Sequence, residues 1–74
     1  MTPAELKATI LVAFPDADVH VTDLTGTQDH YKARIVTAAF EGKSKVQQHR
    51  MVYAALGDAM KGPVHALALE TSAR

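Results

Sequence analysis

At 74 residues, with 47% apolar and 22% charged side chains, residues 1–74 read as one domain around one modest core. There is no cysteine, which excludes a disulfide scaffold and leaves His, Asp and Glu as metal-binding side chains, any sulfur coming from elsewhere. The formal net charge is zero, which argues against a strong nonspecific hold on nucleic acid, and no run approaches the ~20 apolar residues of a membrane span.

The opening Met1-Thr2-Pro3-Ala4-Glu5 has no basic stretch followed by an apolar run, so no secretory signal is expected and the protein is expected to stay in the cytoplasm. Thr2 as cap, Pro3 at the first helical position and Glu5 three residues after the cap predict a helix from Pro3 to Phe14. Leu6, Ile10, Ala13 and Phe14 form its core stripe, and Pro15 with the following acids stops it. Asp18 to Asp23 alternates as a strand, with Val19 and Val21 on one face. A polar loop containing Gly26 leads into a second strand from Tyr31 to Ala38, where Tyr31, Ala33, Ile35 and Thr37 oppose Lys32, Arg34 and Val36. Phe40 to Ser44 reads as a turn, and Ser44 with Gln47 supplies a second capping box. The helix that follows is expected to bury Val46, Val52, Tyr53, Leu56, Ala59 and Met60 and to end at Gly62-Pro63. A last strand runs from Val64 to Thr71, with Val64, Ala66 and Ala68 on one face and His65, Leu67 and Leu69 on the other. The order α-β-β-α-β favours an α+β fold: a three-stranded sheet with both helices on one face and the other face open.

The chain lacks a phosphate-cradling glycine loop, a Cys-x-x-Cys, a His-Glu-x-x-His and a nucleophile elbow. Asp16 and Asp18, after Pro15 at a helix exit, read as turn residues rather than paired catalytic carboxylates. Of the histidines, His20 reads as an exposed strand residue and His49 as a helix residue at or near the surface. His30, at a loop end, is open to a ligand role or a strand-entry role. By spacing His65 reads as a half-buried strand histidine, with a ligand as the alternative. Charge is uneven: residues 32–50 hold Lys32, Arg34, Lys43, Lys45 and Arg50 against Glu41 alone, a solvated face or a patch for a polyanion.

Phe40-x-Gly42-x-Ser44-x-Val46-x-x-His49-Arg50-Met51-Val52-Tyr53 together with Val64-His65-Ala66-Leu67-Ala68-Leu69 resembles the BolA family over nearly the whole chain. The short Gly-containing loop before Asp29-His30-Tyr31 resembles the compact bacterial branch of that family. The resemblance implies a fold related to the class II KH fold, although the GxxG loop of nucleotide-clamping KH domains is missing. It also implies a non-enzymatic adaptor that pairs with a monothiol glutaredoxin and shares a [2Fe-2S] cluster with it, holding no cofactor as an isolated monomer. His65 then matches the family's cluster-ligand histidine. The second ligand, a Cys or His of the first inter-strand loop, has no counterpart in residues 25–29, which leaves His30 as the substitute. The competing reading is a DNA-binding transcriptional regulator that uses Lys43, Lys45 and Arg50.

Overall fold

Thr2 and Glu5 close the expected capping box: the Glu5 amide donates to Thr2 Oγ1 at 3.1 Å and the Thr2 amide donates to Glu5 Oε1 at 3.0 Å. Helix α1 spans Pro3–Ala13 and ends at Phe14, whose amide still donates to the Ile10 carbonyl. The computed structural model to which this helix belongs describes residues 1–24, 26, 30–57 and 66–74. Leu6, Ile10 and Phe14 are buried. Ala13, expected in the same stripe, is exposed, because Ile10 and Phe14 stand four residues apart on the inward side and Ala13 falls off it.

Strand β1 is Asp18–Asp23 and strand β2 is His30–Val36. They pair antiparallel, with Val19 opposite Ile35 and His20 opposite Arg34. Period-two alternation sorts β2 as expected: Tyr31, Ala33 and Ile35 are fully buried, while Lys32 and Arg34 are exposed. The second strand was expected to reach Ala38 but stops at Val36. Thr37, also fully buried, instead caps a 3₁₀ turn over Ala38–Phe40 by accepting the Ala39 amide at 3.2 Å. That turn stands in place of the last part of the strand and inserts Phe40 into the core, where its ring meets Phe14 at a centroid distance of 5.3 Å.

Ser44 caps helix α2, Lys45–Leu56, through a second complete capping box with Gln47. Two expectations for this helix are corrected. Val46 and Tyr53 are exposed, at 60% and 41%, while Gln48 is buried with Val52 and Leu56. Residues 48, 52 and 56 repeat every four and define the inward stripe, and positions 46 and 53, seven apart, share the outward one. Gln48 tolerates burial because its amide donates to the Lys43 carbonyl at 2.9 Å and the Phe40 carbonyl at 3.5 Å, tying the helix to the 3₁₀ turn. The α-helix closes at Gly57, in the left-handed region at φ +51°, with its amide donating to Tyr53. Ala59, Met60 and the Gly62-Pro63 stop lie outside the described residues.

Strand β3, Ala66–Ser72, pairs parallel with β2, so α2 is the crossover that the order implied. The sheet order is β1-β2-β3. Both helices and the inward side of the sheet share one core, with Leu67 and Leu69 packed against it. The described part of the last strand begins at Ala66, and Val64 and His65 lie outside the described residues.

Candidate functional site

The two strands that meet at the start of β3 bring one candidate ligand into view. His30 opens β2 and is half-buried; its carbonyl accepts the Leu24 amide at 2.8 Å, which closes the β1–β2 ladder. Its register partner on β3 is Ala66, the residue immediately after His65. The loop-end histidine and the chain position beside the candidate ligand His65 therefore occupy one end of the β2–β3 pair. His65 itself lies outside the described residues. Among the described residues no group of three or more His, Cys, Asp or Glu side chains could hold a metal ion.

The cationic candidates Lys43, Lys45 and Arg50 are all exposed, Lys43 before α2 and the other two within it. Lys45, at the first helical position, donates its ammonium to the Thr71 carbonyl and thereby pins the start of α2 to the end of β3. On the outward side of α2, Val46, Arg50 and Tyr53 succeed one another at helical spacing, although hydropathy had read Val46 and Tyr53 as core. His49 is half-buried on this helix and His20 is exposed on β1, both as expected. No helix among the described residues is long and apolar enough to cross a membrane.

Across the opposite face of the sheet, His20, Thr22, Lys32, Arg34 and Glu70 line a shallow depression of about 270 Å³. Lys32 Nζ sits 2.8 Å from Glu70 Oε1. The Lys32 ammonium, by hydrogen bond and then by charge, holds the Glu70 carboxyl below its usual range, with a smaller contribution from Arg34. Residue-by-residue reading of the sequence missed this grouping, since it exists only once three strands are in register. The strand alternation that turned Lys32 and Arg34 outward was its one visible sign.

Comparison with known proteins converges on one family. A family profile described as BolA-like protein matches residues 4–74. The Rickettsia prowazekii protein RP812 is 36% identical over 67 residues, covering 90% of this chain and 87% of its own length. The DNA-binding transcriptional regulator BolA of Escherichia coli is 39% identical over 46 residues, covering 62% of this chain and 44% of its own length. The match to bovine BolA-like protein 1 spans only 33% of that protein. Among solved structures, the BolA domain of SufE1 from Arabidopsis thaliana superimposes with a TM-score of 0.86 at 27% identity, covering 96% of this chain and 90% of that domain.

Proposed function

Because the chain belongs to the BolA-like protein family, we propose that it is a cytoplasmic, non-enzymatic adaptor that pairs with a monothiol glutaredoxin and shares a [2Fe-2S] cluster with it. The observation that supports this reading is the family match over residues 4–74, in a chain that carries four histidines and no cysteine. This chain's donor set fits one side of such a centre: the sequence has histidines and no cysteine. A cluster held partly by imidazole has a raised potential and a protonatable ligand. His65 is the principal ligand and His30 the secondary one, the thiolates coming from the partner. The superposition with the BolA domain of SufE1 supports a shared fold. Purified alone, the protein should be a colourless monomer; stoichiometric cluster without a partner overturns the reading.

The deciding experiment is an anaerobic titration of cluster-loaded monothiol glutaredoxin followed by visible circular dichroism. His65→Ala should abolish the spectral change while leaving the apo melt nearly intact, and His30→Ala should produce a smaller change. If His65→Ala lowers the melting temperature by several degrees and leaves the holo spectrum of folded protein unchanged, His65 is a structural histidine.

A second reading, DNA binding, is favoured by the name of the Escherichia coli relative and by the exposure of Lys43 and Arg50. Contact with phosphates would weaken with salt by roughly 0.9 log unit per log unit for each phosphate neutralised. Arg50→Glu tests it more cleanly than Lys45→Glu, because the Lys45 amine also holds β3.

A further inference from the structure

The sheet face turned away from both helices carries a charge arrangement that neither the cluster-sharing reading nor the α2 edge uses. The strand register aligns His20, Arg34 and Glu70 in one row across the sheet and Thr22, Lys32 and Ala68 in the next. Same-face neighbours along a strand stand about 7 Å apart and adjacent strands about 4.8 Å apart, so side chains from these two rows converge on a single group lying above them. Lys32 reaches diagonally to Glu70 and pairs with it at 2.8 Å. Arg34, on the middle strand, makes no ion pair or hydrogen bond through its guanidinium among the described residues, and it meets Glu70 only as a charge across the sheet. The depression thus holds two permanent cations, an imidazole and a hydroxyl against one carboxylate.

We propose that this depression is a binding site for a small molecule bearing a phosphate-class oxyanion, with Arg34 as the fork that grips it and His20, Thr22 and Lys32 as flanking donors. A guanidinium presents paired N–H donors in the geometry of a tetrahedral oxyanion. The volume of about 270 Å³ suits a compact anion rather than an extended chain. Among the described residues the lining holds no Phe, Tyr or Trp and a single imidazole, His20, so the charge complementarity is directed at a lone anionic group rather than at a run of stacked bases. Glu70 competes with the ligand for the same cations and sets the affinity low.

The test is a titration of the full chain with sodium sulfate, followed by amide and side-chain NMR shifts with ionic strength held constant by chloride. Saturable shifts should centre on His20, Thr22, Lys32, Arg34 and Glu70, and inorganic phosphate at alkaline pH should shift the same set. Arg34→Gln should weaken binding by about tenfold or more, the scale of a lost charge-assisted hydrogen bond. Glu70→Gln should tighten it by about twofold to fivefold, since an exposed ion pair is a weak competitor. Shifts that chloride reproduces, shifts centred on the start of α2, or a Glu70→Gln variant that binds no better would each overturn the proposal. Shifts produced by a thymidine oligonucleotide but not by sulfate would assign the face to a nucleic-acid backbone and overturn it as well.

Discussion

Asp16 does more than end the first helix. Its carboxylate accepts the buried Thr37 hydroxyl at 2.7 Å and the Ala38 amide at 3.2 Å, and the Arg74 guanidinium stands 3.9 Å away. Its own carbonyl accepts a second guanidinium nitrogen of Arg74 at 2.6 Å. Asp16 thus ties together the end of β2 and the start of the 3₁₀ turn through its side chain, and Arg74 chiefly through its carbonyl. The Thr37 hydroxyl first, then the Ala38 amide and the Arg74 charge, hold the carboxyl below its ordinary value of 3.8. A carboxyl lowered in the folded state stabilises the fold above its unfolded value, and that stabilisation disappears as pH falls through the lowered value. The melting temperature should therefore drop as pH falls below 3.8. Asp16→Asn should melt lower at neutral pH and show a flatter acid limb, with Glu5 and Glu70, both also lowered, supplying the slope that remains. Melts of both proteins from neutral to strongly acidic pH check this, and parallel acid limbs would remove Asp16 from the account. The sequence could mark Asp16 as a turn residue, but its acceptor role depends on Thr37, 21 positions away, and no local pattern carries a contact of that range.

At the scale of the elements, the helix caps and the strands were the most legible features because their signals are local. Thr2 with Glu5 and Ser44 with Gln47 each form both reciprocal bonds, and β1 has the bounds that its alternation implied. The Ser44 cap makes a direct prediction. Its hydroxyl accepts the Gln47 amide at 3.2 Å and Gln47 Oε1 accepts the Ser44 amide at 2.8 Å. Ser44→Ala should cost about 1 kcal/mol and lower the melting temperature by about 4–8 °C. Ser44→Asp should keep most of the stability, because it retains the acceptor and places a negative charge at the helix start. Thermal melts by far-ultraviolet circular dichroism distinguish the two. The buried stripe of α2 was less legible: hydropathy favours Val46 and Tyr53 over Gln48, yet helix phase and two loop carbonyls decide the matter in favour of Gln48. The same limit hid the open-face depression, whose members come from three strands.

For the whole molecule, small size makes each core contact consequential. A chain of this length has a folding free energy of about 4–11 kcal/mol, while truncating a buried phenylalanine to alanine costs about 3–5 kcal/mol. Phe40 is the sharpest case, because its burial depends on features from distant parts of the chain. The 3₁₀ turn that presents it is capped by Thr37, Thr37 is held by Asp16, and Gln48 of α2 donates to the Phe40 carbonyl. Its ring closes the gap against Phe14 at the end of α1, tilted by 60°. Phe40 therefore joins both helices to the sheet, and the cavity left by its loss cannot be filled by any one element relaxing alone. Phe40→Ala should lose most of its cooperative transition or melt near ambient temperature. Val46→Ala, which removes an apolar side chain of comparable sequence prominence from the outward stripe of α2, should leave the melt within about 0.5 kcal/mol of the parent. Chemical denaturation of the two variants checks the contrast. Equal losses would show that the outward side of α2 is part of the core, and a cooperative, near-native Phe40→Ala would show that the aromatic contact is dispensable to the fold.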